Sequence, residues 1–321
     1  MSLSKADFET SNEVRWCPGC GDYAVLATMQ RMLPELDIAP ENIAFISGIG
    51  CSSRFPYYMK TYGFHTIHGR APTFATGLAV TRPELLVWVV TGDGDGLSIG
   101  SNHLLHLLRR NVNAKVMLFN NQIYGLTKGQ YSPTSERGKV TKSSPAGSQE
   151  EPVNPLRFAL AANASFVARG IDVDAKRLEQ VLKAAALHQG SAFIEIYQNC
   201  NVFNDGAFAS FSERRVRDAK TVSVFPGEKM IFGASQENGL AWRAEQWEIV
   251  DAEEADIWPH MPSEAQCLAM TTLTDPVPVG IFKQAYRDIY TPLVTPPKAQ
   301  SRQKLQKLLH SGDVWSVSDK S

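Results

Sequence analysis

A doubly wound α/β domain with a mostly parallel sheet is the fold predicted for residues 14–200. Three observations predict it. Short apolar runs rich in Val, Ile and Phe alternate with helix-like stretches, the rhythm of strand–helix–strand units. The runs are continuously apolar rather than alternating, as strands covered on both faces must be. The residues with chemistry fall just after those runs, where such sheets bind ligands.

In chain order, the pattern predicts a helix over Asp22 to Leu33, then a strand at Ile43 to Ile46. Gly48, Gly50 and Cys51 follow that strand. A helix over Thr73 to Thr81 leads to the strand Leu85 to Val90, which runs into Gly92-Asp93-Gly94. A helix over Ser98 to Arg110 precedes the strand Lys115 to Phe119, which ends at Asn120-Asn121. A helix over Pro155 to Asn163, the strand Phe166 to Ala168 and a helix over Asp174 to His188 follow. Asp172 and Asp174 offer carboxylates to cap that last helix. The strand Phe193 to Ile196 closes the series before Cys200.

Ser132 to Asn154 is polar, carries three prolines and lacks periodicity. A stretch this long inside a compact domain reads as a lid or partner-contacting loop. After Cys200 the rhythm is lost. The expected division is a binding domain over 1–204 and an extension over 205–321 that packs on the core or a partner, with a polar tail from Lys298.

The 321 residues are 43% hydrophobic with a formal charge of −1. No block of five or six basic residues occurs, which argues against nucleic-acid binding. The start shows no apolar signal core, and the longest pure apolar run, Leu85 to Val90, is too short to span a bilayer. The expectation is a cytoplasmic chain without membrane association. In a reducing compartment, an odd count of five cysteines fits four ligands and one bystander, Cys267.

Two constellations carry the chemistry. Asp93 lies between Gly92 and Gly94, which permit a tight turn and close approach of backbone to a phosphate. A helix begins soon after, its amino end favouring anionic oxygens. Asn121 ends the next strand. An Asp carboxylate, an Asn amide oxygen and the backbone carbonyl of Ile123, with diphosphate oxygens, suit octahedral Mg²⁺. Taken singly, Gly-Asp-Gly is a turn and Asn-Asn a strand cap; the pairing at two strand ends favours a site. A dinucleotide fold fits worse, because no G-x-G-x-x-G opens the first strand–helix turn. The second constellation is Cys17, Cys20, Cys51 and Cys200. Four thiolates suit structural zinc or an iron–sulfur cluster, and spacing alone does not choose.

The spacing GDG-x25-NN resembles the diphosphate motif of thiamine-diphosphate enzymes. The longer set W-C-P-G-C-G, S-G-I-G-C-S-S-R, H-G-R-A, G-D-G-D-G, N-N-Q-I-Y-G-L-T-K-G-Q and S-P-T-S resembles the β subunits of 2-oxoacid:ferredoxin oxidoreductases over about residues 14–205. G-I-G-C-S-S-R-F-P-Y-Y and N-V-F-N-D-G-A-F are most similar to the 2-oxoglutarate branch. The resemblance implies that Gly50, His68, Gly92, Asp93, Gly94, Asp95, Asn121 and Ile123 bind thiamine diphosphate, with Asp93, Asn121 and Ile123 on Mg²⁺. It implies a 4Fe–4S cluster on Cys17, Cys20, Cys51 and Cys200. It further implies coenzyme A-dependent oxidative decarboxylation of 2-oxoglutarate to succinyl-CoA and carbon dioxide, reversible, with electrons passing to ferredoxin. This chain resembles only the diphosphate half of such enzymes. The glutamate that activates the cofactor is therefore expected from an α subunit carrying the pyrimidine domain.

Arg54 follows Cys51 by three residues, and its guanidinium suits a second substrate carboxylate, favouring 2-oxoglutarate over pyruvate. A surface charge is the plainer reading of the same residue. The resemblance puts Lys128 on the substrate side and gives His68 a hydrogen bond to the diphosphate or reacting centre. His65, His103 and His106 read as structural. Three alternatives stand beside this function: pyruvate as the main substrate, a non-redox thiamine decarboxylase or synthase with structural zinc, and an electron-transfer or scaffold subunit with a vestigial thiamine site.

Overall fold

The computed structural model describes residues 3–291, 302–313 and 315. The chain divides into two compact units, Met1–Tyr290 and Thr291–Ser321. In the second, the described helix is Arg302–Leu309; the polar tail expected from Lys298 begins outside the described residues.

The first unit is built on an eight-stranded sheet. Its strands are β1 (Ile43–Ser47), β2 (Tyr62–His65), β3 (Leu86–Gly92), β4 (Lys115–Asn120), β5 (Phe166–Ile171), β6 (Ala192–Tyr197) and β7 (Thr221–Val224), followed later by Val277–Gln284. Between the last two lie β8 (Ile231–Phe232), β9 (Asn238–Arg243) and β10 (Gln246–Asp251), which form a separate antiparallel sheet. With Val277–Gln284 as β11, the main order is β2-β1-β3-β4-β6-β5-β11-β7. Every neighbouring pair is parallel except β11 with β5.

Both faces are covered, which explains the unbroken apolar strands. Val87 and Val89 of β3 enter one core with Val116 and Leu118 of β4. Trp88 and Val90 enter the other with Met117 and Phe119. Alternate side chains thus go to opposite faces and find hydrocarbon on each. The helices α1 (Asp22–Met32), α2 (Ala71–Thr81), α3 (Ser101–Arg109), α4 (Pro155–Ala161) and α5 (Ala175–Leu187) make the layers. α1 and α5 contribute to one core through Met29 and Leu182, while α3 and α4 contribute to the other through Leu107 and Leu156. Asp174 caps α5, accepting from the Arg177 amide; Asp172 accepts instead from the amides of Val173 and Asn199.

The boundary expected at residue 204 falls inside the first unit. Strands β7 and β11 lie beyond it and complete the main sheet, with a small sheet and a helix inserted between them. The parallel rhythm is lost there because β11 enters antiparallel to β5, with no crossover helix to announce it.

Candidate functional site

The sheet order gathers the chemistry. At the carboxyl edge, β1, β3, β4 and β6 are consecutive neighbours. Cys51 follows β1, Asp93 follows β3, Asn121 and Ile123 follow β4, and Cys200 follows β6. Strand order reverses between β1 and β3, and ligands bind in the crevice at such a point. A cleft of about 110 Å³ opens there, lined among others by Gly50, Cys51, His68, Asp93, Asn121 and Ile123.

Asp93 is 2% exposed. Its Oδ2 accepts from Ser132 Oγ at 2.5 Å and Thr134 Oγ1 at 2.6 Å. Thr134 also reaches Asn120 Oδ1 at 2.9 Å, Asn120 donates to buried Glu195, and Glu195 pairs with Arg169 at 2.8 Å. The first residues of the expected loop therefore clamp the carboxylate from one side. Asn121 Oδ1 accepts from the Ile123 amide at 3.2 Å, which folds the turn after β4 back toward Asp93. A carboxylate, an amide oxygen and a main-chain carbonyl form a hard-oxygen set that fits Mg²⁺ on a diphosphate. Two glycines make room. Gly50 adopts φ +134° with open space where a Cβ would stand, and a Cβ on Gly94 would come 2.2 Å from the Tyr124 ring.

Burial pushes the Asp93 carboxyl up to about 6, against the lowering effect of the Ser132 and Thr134 hydrogen bonds. Its folded value exceeds the unfolded value of about 3.9. The buried charge therefore destabilises the ion-free fold above pH 6, and this penalty vanishes as pH falls below about 4. Binding of a cation by Asp93 would have the opposite dependence, because it would need the carboxylate. Mg²⁺ affinity measured by calorimetry should be flat above pH 6 and fall about tenfold per unit below it. An unchanged affinity at pH 5 would remove Asp93 from the cation's ligands.

Asp95 serves another purpose. Its Oδ1 accepts from the amides of Ile49 and Gly69 and contacts His68 Nδ1 at 2.5 Å, while Oδ2 accepts from Thr91 at 2.6 Å. With both oxygens taken by protein donors, it shapes the Gly48–Gly50 turn and holds the His68 ring. Fixing Nδ1 leaves Nε2 as the free ring nitrogen on the cleft.

The thiols stand at one side of the same edge. A methyl group on Gly125 would be 3.6 Å from Cys51 Sγ and 3.7 Å from Cys200 Sγ, so both sulfurs face one glycine. Burial pushes the Cys20 thiol up, with Asp22 and then the Cys200 and Cys51 sulfurs adding. Burial likewise pushes Cys51 up to about 11, with Asp22, Cys200 and Cys17 adding and Arg54 opposing. Among the described residues, no three His, Cys, Asp or Glu side chains converge to chelate one ion. Mononuclear zinc needs four sulfurs about 2.3 Å from a common centre, an arrangement the described residues do not form. Cys267 stands apart in the core, its thiol donating to the Phe282 carbonyl.

Arg54 and Lys128 do not line the cleft. Arg54 donates to the Arg15 carbonyl at 2.8 Å and faces a different groove, of about 630 Å³, with Asn12, Glu13 and Tyr57. Lys128 is exposed at the tip of the turn closed by Tyr124 and Gln130, with φ +77°. His65 pairs with Ser47 Oγ, and His106 contacts Arg109. Three residues at the site carried no assigned role in the sequence reading. Ser132 and Thr134 sit in the S-P-T-S string, and their contact with Asp93 spans about forty positions. Gln198 lies between Asn121 and Cys20, and its only local signal is a polar residue ending an apolar strand.

Comparison with known proteins gives the family. Residues 48–196 match the C-terminal TPP-binding domain of thiamine pyrophosphate enzymes. The chain is 49% identical to the 2-oxoglutarate oxidoreductase subunit KorB of Mycobacterium tuberculosis, over 97% of this chain and 88% of that one. It is 45% identical to the β subunit of 2-oxoacid:ferredoxin oxidoreductase 1 of Aeropyrum pernix, over 67% and 68% of the two chains. A structure of 2-oxoglutarate:ferredoxin oxidoreductase from Magnetococcus marinus, with 2-oxoglutarate, coenzyme A and succinyl-CoA bound, superposes with a TM-score of 0.75 at 30% identity, over 95% of this chain and 96% of that one.

Proposed function

Since this chain belongs to the family of 2-oxoglutarate and 2-oxoacid:ferredoxin oxidoreductase β subunits, we propose that it supplies the diphosphate half and the electron exit of a 2-oxoglutarate:ferredoxin oxidoreductase. The observation that carries this reading is the single sheet edge on which Asp93, Asn121 and Ile123 stand beside the thiols. Bound thiamine diphosphate supplies the carbanion chemistry that decarboxylates a 2-oxoacid, and a 4Fe–4S cluster takes electrons singly.

Within that scheme Asp93 neutralises the cation, while Asn121 and the Ile123 carbonyl complete its oxygen set. His68, held through Nδ1, presents Nε2 to the cleft. Kinship with ferredoxin-linked oxidoreductases favours a cluster over zinc on Cys17, Cys20, Cys51 and Cys200. The reaction is oxidative decarboxylation of 2-oxoglutarate, with coenzyme A as acyl acceptor, succinyl-CoA and carbon dioxide as products and ferredoxin as electron acceptor.

A partner is built into the reading. Full small-molecule sites enclose about 300–1,000 Å³, so a cleft of about 110 Å³ is a partial site. Ile99 and Leu126 expose large apolar surfaces beside it, as residues awaiting a covering subunit do. An α subunit with the pyrimidine domain and its activating glutamate completes the site. Among the described residues no helix is long and apolar enough to cross a membrane, and a cytoplasmic setting suits the free thiols.

Arg54 and Lys128 lie outside the cleft of the single chain, and the family resemblance alone assigns them the distal carboxylate of the substrate in the complex. The test is turnover of the reconstituted complex on 2-oxoglutarate and on pyruvate. Wild type should prefer 2-oxoglutarate, and Arg54→Ala should raise its KM at least about tenfold while leaving that of pyruvate near wild type. Equal losses on both substrates would remove Arg54 from recognition; turnover of neither would reject the assigned reaction.

A further inference from the structure

One buried side chain touches both constellations. Gln198 follows β6 and is 1% exposed. Its Oε1 accepts from Asn121 Nδ2 at 2.8 Å. Its Nε2 donates to Cys20 Sγ at 3.3 Å and to the Asn199 carbonyl at 2.6 Å. Its own amide donates to the Asn120 carbonyl at 2.9 Å.

This arrangement has one direction only. Turning the amide over would set its oxygen against the Asn199 carbonyl and its NH₂ against the NH₂ of Asn121. Because Asn121 gives its NH₂ to Gln198, its Oδ1 is the atom turned to the Ile123 amide, from which it accepts one hydrogen bond while keeping a second lone pair. The other side of the same amide places an N–H on a sulfur of the thiol cradle. Hydrogen bonds to ligating sulfurs stabilise the more negative, reduced state of a cluster and so raise its potential.

We propose that Gln198 is a positioning residue that couples the diphosphate site to the cluster: through Asn121 it sets cation affinity, and through Cys20 it sets the reduction potential. The inference rests on the function proposed above, and it assigns to one side chain the link between the two centres. Residues that orient metal ligands from behind are typically worth tenfold to a hundredfold in metal affinity.

The experiment uses the anaerobically purified complex of this chain with its partner subunit. Two quantities are read: Mg²⁺ affinity by calorimetry, and the cluster midpoint by EPR-monitored redox titration. Gln198→Leu removes both contacts, so Mg²⁺ binding weakens at least about tenfold and the midpoint falls. Gln198→Glu keeps the shape and an oxygen for Asn121; buried, it is protonated and gives its one proton to the Asn199 carbonyl, so Cys20 loses its donor. This variant retains wild-type Mg²⁺ affinity while the oxidised-to-reduced ratio at fixed potential rises about tenfold, which is about 59 mV for one electron. Wild-type midpoints in both variants overturn the proposal, as does a Mg²⁺ affinity that Gln198→Leu leaves unchanged. A wild-type complex lacking iron and inorganic sulfide rejects the underlying function instead, so the two failures are told apart.

Discussion

Asp93→Asn should cost the complex at least about a thousandfold in kcat/KM for 2-oxoglutarate, about 4 kcal/mol of transition-state stabilisation. The substitution keeps volume and shape, so packing does not explain the loss. What disappears is the one carboxylate among the three proposed oxygen ligands, in a position 2% exposed, where charge is poorly screened. The hydrogen bonds add to this. Ser132 and Thr134 both donate to Oδ2, and an amide offers only one oxygen. Either those hydroxyls meet an NH₂ that cannot accept, or the NH₂ faces the cation. The fold itself should not suffer. With the carboxyl pushed up to about 6 by burial, the ion-free wild type carries a charge penalty at pH 8 that the neutral variant lacks. The melting temperature of Asp93→Asn without Mg²⁺ should therefore equal or exceed that of wild type. Activity within tenfold of wild type would show that the cation is held elsewhere.

Cys51→Ala should abolish ferredoxin reduction, to below about a thousandth of wild type, together with the iron content of the purified complex. Cys51 and Cys200 lie far in sequence from each other and from the Cys17–Cys20 pair, and they meet at Gly125 only because β1 and β6 end on the same edge. Removing one ligand from a four-thiolate cluster leaves an iron without its anchor. Thiamine diphosphate and Mg²⁺ should still bind, since the proposed cation ligands Asp93, Asn121 and Ile123 come from the ends of β3 and β4. Cys267→Ala is the matched control, because that thiol is buried in the core and donates to the Phe282 carbonyl. Iron analysis and ferredoxin reduction on both variants separate ligand from bystander. A full complement of iron in Cys51→Ala would move Cys51 out of the cradle.

Much of this site was legible in sequence because parallel strands buried on both faces announce themselves. β1, β3 and β4 are largely apolar runs, and β5 and β6 are broken only by the paired Arg169 and Glu195, so their ends, and hence Cys51, Asp93, Asn121 and Cys200, can be placed before any contact is known. β2 was not legible. Its residues Tyr62–His65 are all exposed, and an edge strand without a buried face has no periodic signature. β7 and β11 were missed for a different reason: they join the sheet through long-range pairing across an inserted small sheet. The clamp on Asp93 is likewise non-local. Nothing in Ser132-Pro133-Thr134 says that its hydroxyls will fold back on a carboxylate of another strand. Gln198 shows the same limit, since its meaning lies in what Asn121 and Cys20 do on either side of it.

The most direct measurement is anaerobic stopped-flow absorbance of the cluster in the complex, mixing 2-oxoglutarate first and coenzyme A second. The account predicts bleaching of the sulfur-to-iron bands that requires thiamine diphosphate and Mg²⁺ and accelerates when coenzyme A arrives. A colourless complex that contains zinc and turns over 2-oxoglutarate without any spectral change would contradict it.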